Sequence, residues 1–113
     1  MGKDRPEILI GVTNVTTSKQ IKKTVSEIIF GIEEEGCLYD IYDAMNIKDI
    51  RYSSIGICVI VSEKIAIIYD NDLGEANPFY TVEINYSGYS IENLRTLGKN
   101  AARYIKQNTL YIK

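Results

Sequence analysis

Two strand-like runs flank one long helical segment, and this order constrains the fold more than any other feature of the sequence. Residues 7–13 (EILIGVT) form a short continuous apolar run, which is typical of a buried strand. Residues 18–35, with Thr17 as the predicted cap, carry apolar side chains at helical spacing, and residues 37–42 (CLYDIY) alternate like an outer strand. The segment is therefore a β-α-β unit, whose strands should be parallel and whose crossover should be right-handed.

The rest of the chain adds three strands and a second helix. Residues 55–61 (IGICVIV) and 65–69 (IAIIY) are apolar runs joined by three polar residues, a link that can only connect antiparallel neighbours. A loop is predicted over residues 71–78 and a last strand over residues 79–84. Ser90 is predicted to cap a helix over residues 91–107, whose small residues would let it lie close against a sheet.

These elements predict one α/β domain spanning residues 1–113. We expect a three-layer α/β/α arrangement with a mixed, mostly parallel sheet of about five strands. The expected strand order is 2-1-3-4-5, with strand 4 antiparallel. Residues 43–54 would contribute two helical turns at most, because their capping signals are weak.

The composition argues against several classes of function. The chain of 113 residues has no histidine, which removes the commonest general base and imidazole metal sites. Its net charge of -2 argues against a nucleic-acid partner. No apolar run fits a membrane span or a secretory signal, and Cys37 and Cys58 are expected to be reduced, so a cytoplasmic location is expected. No glycine-rich phosphate-binding signature is present, and no residue set has the pattern of a catalytic site.

The block Gly31-Ile-Glu-Glu-Glu-Gly36 places three carboxylates at the end of the first helix, which Gly36 is expected to close. Each carboxylate there faces the negative end of the helix macrodipole and is disfavoured by about 0.3–1 kcal/mol. A metal ion or a partner's basic group would relieve this conflict. The plain alternative is a solvated acidic helix end.

A basic row lies on the second helix, where Arg95, Lys99 and Arg103 follow one another at four-residue steps. The acidic segment from Glu27 to Asp43 contains no lysine or arginine. From the sequence, the basic row could pair with this segment inside the fold, or the two could bind different partners.

Two motifs resemble the small (β) subunit of glycerol/diol dehydratase reactivases. That family has a G-[IL]-E-E-x-G block after its first helix, matched by residues 31–36, and a G-x-N-A-x-x-x-x-K block in its last helix, matched by residues 98–106. Residues 51–54 resemble its arginine-containing turn, and residues 73–79 its loop before the last strand. The resemblance spans roughly residues 7–108. It departs from the family in a shorter stretch after Gly36 and in a displaced glycine near Cys58.

The resemblance implies a non-catalytic accessory subunit of a chaperone, with a strand order like that of anticodon-binding domains. Its large partner would be an actin-like, ATP-hydrolysing subunit. The complex would release damaged adenosylcobalamin from a cobalamin-dependent glycerol or diol dehydratase. It implies no cofactor of the chain's own, and association with a protein microcompartment stays open.

The resemblance also implies roles for the carboxylates. By position, Glu34 is the residue that would help coordinate a divalent cation, such as Mg²⁺, shared with the large subunit. Glu33 and Glu35 point elsewhere, because successive helical residues are about 100° apart, and are interpreted as partner-contacting rim charges.

Asn100 and Arg103, in the second motif, are further candidate partner contacts, against the alternatives of a local hydrogen bond and a solvated charge. Gly31 and Gly98 are interpreted as close-packing positions.

Two other functions stay open. The first is the medium (β) subunit of a cobalamin-dependent dehydratase, which carries an extension ahead of this domain, whereas here the first strand begins by Glu7. The second is a free-standing small-ligand or phosphoacceptor module. That function needs acidic residues at the end of the first strand, and residues 10–14 offer none.

Overall fold

The computed structural model describes residues 7–13, 19–51, 56–72, 75–84 and 91–105. The elements in chain order are β1 (Glu7–Val12), α1 (Lys19–Glu34), β2 (Leu38–Asp43), β3 (Ile57–Val61), β4 (Ile65–Asp72), β5 (Glu75–Glu83) and α2 (Ile91–Ile105). The predicted helix caps Thr17 and Ser90 lie outside the described residues, as do residues 52–54, 73–74 and Lys106 of the family motifs.

The five strands form one mixed sheet in the order β2-β1-β3-β4-β5. β1 pairs in parallel with β2 and with β3, whereas β4 pairs antiparallel with both of its neighbours. The predicted strand order, the antiparallel fourth strand and the central first strand are therefore confirmed.

Both helices lie on the same face of the sheet, so the predicted three-layer arrangement is corrected to a helical layer on one face. A single buried cluster joins the apolar sides of both helices to alternate residues of the strands. Its members are Ile8, Ile10, Val12, Ile21, Val25, Ile28, Ile32, Ile57, Val59, Val61, Ala66, Ile68, Ile84, Leu94, Leu97, Ala101 and Ala102.

The opposite face is covered by the connection between β2 and β3. The chain first crosses from β1 to β2 and then returns past β1 to β3, so two right-handed crossovers must leave the sheet on opposite faces. The first crossover is the helix α1, whereas the described part of the second, residues 44–51, contains no helix. Residues 44–51 of the second form a turn, and Ala44 and Ile50 pack there against Cys58 and Ile60.

The predicted loop over residues 71–78 is mostly strand. β4 extends to Asp72, and β5 already begins at Glu75. The strands tolerate Pro78 because β5 is an edge strand and the pairing shifts here: Ile68 pairs with Tyr80, whereas Tyr69 pairs with Pro78.

Gly36 closes α1 as predicted. Its φ of 76° lies in the left-handed region, its N–H donates to the Glu33 carbonyl at 2.9 Å, and the Cys37 N–H donates to the Ile32 carbonyl at 3.3 Å. These two bonds form a Schellman motif, which satisfies carbonyls at the end of the helix. Within the described residues, neither helix has the length and apolarity needed to cross a membrane.

Candidate functional site

The two helices touch through their backbones at two glycines. A Cβ added to Gly31 would collide with the Arg95 carbonyl oxygen, and one added to Gly98 would collide with the Ile28 carbonyl oxygen. The prediction that both glycines are close-packing positions is confirmed. The neighbour of Gly98 is α1, however, and not the sheet.

Three ion pairs join α1 and its C-terminal turn to the basic row of α2. The Arg95 Nε donates to Glu27 Oε1 at 2.6 Å, Lys99 Nζ lies 3.4 Å from Glu34 Oε1, and Arg103 Nε donates to Glu35 Oε2 at 3.3 Å. Residue numbers rise together along both helices, so the helices run parallel.

The alternative that the sequence left open is thereby decided, because the acidic segment and the basic row pair inside the fold. The chain itself therefore relieves part of the charge conflict at the end of α1, and a metal ion or a partner's basic group at this end stays a prediction. α2 supplies cations to two of the three helix-end carboxylates, Glu34 and Glu35.

The carboxylates differ in how far a partner can reach them. The side chains of Glu27 and Glu35 are only 10% and 15% exposed, whereas that of Glu34 is 51% exposed. Glu33 is also exposed, and no cation lies within 4 Å of it among the residues that the structure describes. The helix end therefore offers two carboxylates to solvent.

These two carboxylates border an open groove of about 420 Å³, which is lined by Phe30, Glu33, Glu34 and Arg95. The Arg95 guanidinium lies 5.4 Å from the centroid of the Phe30 ring. Neither Phe30 nor Glu27 is among the site residues predicted from the sequence. The signal for Phe30 was available, because it lies two residues after the core residue Ile28 and so about 200° around the helix, facing solvent.

A second polar cluster, which was not predicted from the sequence, lies on the opposite face of the sheet. The Tyr42 hydroxyl donates to the Asp49 carbonyl at 2.5 Å, accepts from the Arg51 N–H at 3.2 Å and lies 3.3 Å from the Cys58 Sγ. Arg51 binds the Asp49 carboxylate through Nε at 3.2 Å and Nη2 at 3.1 Å, and its guanidinium lies 4.5 Å from the Tyr42 ring centroid.

Burial, with the neighbouring Cys58 thiol as the next cause, raises the pKa of Tyr42 above its usual value. Burial likewise raises the pKa of Cys58, and the hydrogen bond from Arg51 lowers that of Asp49. Tyr42 and Cys58 therefore stay protonated and neutral, so a structural role fits these side chains better than a nucleophilic one.

A family model for the dehydratase medium subunit matches residues 5–111, nearly the whole chain. The chain belongs to the dehydratase medium-subunit family. No match was found among curated protein sequences.

Two solved structures are similar to this family member in fold. One is described as a diol dehydratase-reactivating factor complexed with ADP and Mg²⁺; the similarity covers 95% of this chain and 98% of that chain, with a TM-score of 0.75 and 20% identity. The other is described as a glycerol dehydratase reactivase, with 95% and 97% coverage, a TM-score of 0.71 and 22% identity.

In this medium-subunit family member, the predicted site residues are only partly brought together. Glu33 and Glu34 share the groove, and Glu35 and Arg103 pair beside it. Asn100 is 0% exposed, so its side chain does not reach the surface where the predicted partner contact would need it. The Arg103 side chain is 25% exposed.

The described residues offer carboxylate oxygens to a magnesium ion but not a complete set of ligands. Glu34 offers hard carboxylate oxygens of the kind Mg²⁺ prefers. Among the described residues, no three Asp, Glu, Cys or His side chains gather closely enough to hold a metal ion. A cation at Glu34 would therefore take its other ligands from water or a partner.

Proposed function

We propose that the chain is the small, non-catalytic subunit of an ATP-dependent chaperone that reactivates a cobalamin-dependent glycerol or diol dehydratase. In this proposal a large actin-like subunit hydrolyses ATP, and the complex expels damaged adenosylcobalamin from the client enzyme. The chain itself is an accessory subunit, acts in the cytoplasm and contacts neither nucleic acid nor membrane.

The observation that carries the proposal is the likeness to two reactivase structures along nearly all of this chain. In both cases the matched chain is covered almost completely, at 98% and 97%. The likeness therefore extends over nearly the whole of each matched chain, which supports a role in the same kind of complex.

Docking through the end of α1 fits the exposure of its carboxylates. Among the carboxylates paired with α2, Glu34 has the most exposed side chain and the longest ion-pair distance, 3.4 Å to Lys99 Nζ. It can therefore turn towards a partner at little cost, since an exposed ion pair contributes only about 0–1 kcal/mol. Glu33 would act beside it as a second, purely electrostatic contact.

A divalent cation, Mg²⁺ in the first instance, would bridge Glu34 to ligands of the large subunit. Glu35, Arg103 and Asn100 take supporting roles in this proposal. Glu35 and Arg103 hold the end of α1 against α2, and buried Asn100 lies within α2 between Lys99 and the core residue Ala101.

The decisive experiment measures binding of the purified chain to its cognate large subunit by titration calorimetry, with and without Mg²⁺. We expect wild type to bind, and Glu34→Gln to bind roughly tenfold more weakly with Mg²⁺, because one charged ligand is lost. Glu63→Gln, an exposed glutamate in the turn between β3 and β4, is the matched control and should bind like wild type.

Equal affinity of Glu34→Gln and wild type in Mg²⁺ would count against the metal role. The variant should fold about as well as wild type, because the lost ion pair with Lys99 and the relieved charge at the helix pole are each worth only about 0–1 kcal/mol and have opposite signs. A thermal unfolding curve checks this. ATP turnover by the isolated chain would contradict the accessory role.

A second candidate function is favoured by the family description itself, which names the medium subunit of a dehydratase. Co-expression of the tagged chain with both possible partners separates the two. Recovery of the actin-like ATPase supports the reactivase role, whereas a stable complex with a dehydratase catalytic subunit would establish the medium-subunit role.

A further inference from the structure

An aromatic side chain occupies the solvent-facing side of α1, where an amphipathic helix normally carries polar residues. Phe30 is 46% exposed and is the one exposed large apolar side chain among those described in this helix. Its neighbours on the outer side, Ser26 and Glu33, are polar and exposed. Phe30 therefore contributes little to the core of its own domain.

The Phe30 ring is held in place by the chain itself. The Arg95 guanidinium lies 5.4 Å from its centroid, and the same side chain is fixed by its 2.6 Å bond to Glu27, whose side chain is only 10% exposed. An aromatic ring positioned before binding loses little conformational entropy on complex formation. Such rings are frequent energetic anchors of protein interfaces.

The charges around the ring indicate what it would meet. Arg95 lines the groove, but its guanidinium already forms an ion pair with Glu27. Glu33, on the rim, has no cation of its own within 4 Å among the described residues. The carbonyl end of α1 adds to the negative potential here. The groove thus combines the apolar ring of Phe30 with one carboxylate, Glu33, that has no cation near it among the described residues.

We propose that this groove, lined by Phe30, Glu33, Glu34 and Arg95, is a docking site for a segment of the large subunit that carries an apolar side chain next to a lysine or arginine. The apolar side chain packs on Phe30, and the basic side chain pairs with Glu33. This inference rests on the proposed function and adds an apolar anchor that needs no metal ion.

The test measures binding to the cognate large subunit without divalent cations, so that a metal bridge at Glu34 makes no contribution. We expect Phe30→Ala to weaken binding at least tenfold, mainly through faster dissociation. We expect Glu33→Lys to slow association, with an effect that shrinks as salt is added. Ile47→Ala is the control, because Ile47 is similarly exposed, at 42%, but lies in the turn after β2.

The outcomes separate this inference from the proposed function. If wild type binds and Phe30→Ala binds equally well, the groove proposal is overturned while the subunit role stands. If wild type fails to bind the large subunit under any condition, the proposed function falls, and the docking site falls with it. Unchanged thermal unfolding of Phe30→Ala confirms that any loss of binding is local to the surface.

Discussion

At the scale of single residues, two glycines decide how closely the helices approach. Gly31 lies against the backbone of Arg95 and Lys99, and Gly98 lies against that of Ile28. Because both neighbours are main-chain atoms, no side-chain rotation can make room for a larger residue. The close approach also brings the basic row within reach of the acidic helix end.

Replacing Gly31 by alanine tests this role, because helix propensity and packing predict opposite signs. In an exposed helix the change would stabilise by up to about 1 kcal/mol. Here the added Cβ should separate the helices, and we expect a net loss of about 1–3 kcal/mol in the free energy of unfolding.

Chemical denaturation measures that loss. Ser26→Ala is the control, since Ser26 is exposed on the same helix and its change should lie within about 0.5 kcal/mol. A stabilised Gly31→Ala variant would show that the helices are not in backbone contact.

At the scale of elements, the described part of the connection after β2, residues 44–51, is held to the sheet by a hydrogen-bonded clasp around Tyr42. The Tyr42 hydroxyl bonds both Asp49 and Arg51 of this connection, and the Asp49 carboxylate accepts the Met45 N–H at 2.9 Å. Each of these bonds joins residues close in sequence, so residues 44–51 gain a defined shape from local hydrogen bonds.

The raised pKa values of Tyr42 and Cys58 predict that the chain loses stability at alkaline pH. Tyr42 and Cys58 have pKa values raised above their usual 10.0 and 9.0, so the folded chain holds these protons after the unfolded chain has released them. Their contribution is complete below about pH 9 and declines above it, by at most about 1.4 kcal/mol per pH unit for each group.

Urea denaturation from pH 7 to 10.5 measures this decline. In Tyr42→Phe we expect lower stability at pH 7, because the Asp49 carbonyl and the Arg51 N–H lose their hydrogen-bond partner, and a shallower decline above pH 10. An unchanged slope in the variant would contradict the role assigned to the Tyr42 proton.

At the scale of the whole molecule, a parallel pair of helices covers one face of a mixed sheet. Acidic residues of α1 and its C-terminal turn form ion pairs with basic residues of α2. The three ion pairs leave the fold with no need for an external cation at Glu27 or Glu35. Glu34 is different, because its exposed carboxylate could exchange Lys99 for another cation. Partner binding at this surface then becomes a competition with the chain's own lysine.

Lys99→Met tests that competition. If Lys99 competes with Mg²⁺ for Glu34, the variant should bind the large subunit in Mg²⁺ about two- to fivefold more tightly, the equivalent of one exposed ion pair. Lys64→Met, an exposed lysine in the turn between β3 and β4, should leave the affinity unchanged. Weaker binding by Lys99→Met would mean that Lys99 itself contacts the partner.

Periodicity in the sequence was sufficient to predict the helices, the antiparallel pairing of β3 with β4 and the glycine closure of α1, because each depends on local pattern or on a short link. It failed at residues 71–78, where Pro78 indicated a loop. A proline is acceptable at an edge strand beside a bulge, and only the pairing with β4 reveals that position.

The amino-acid sequence by itself determined which residues carry charge and which helix faces are apolar. Only the tertiary structure decided that both helices share one face of the sheet and that Asn100 is buried. It also decided that the basic row of α2 forms ion pairs with Glu27, Glu34 and Glu35. The physical reason is that all of these facts depend on the contact between α1 and α2. Residues about 68 positions apart in the chain meet there, and no local pattern encodes their distance.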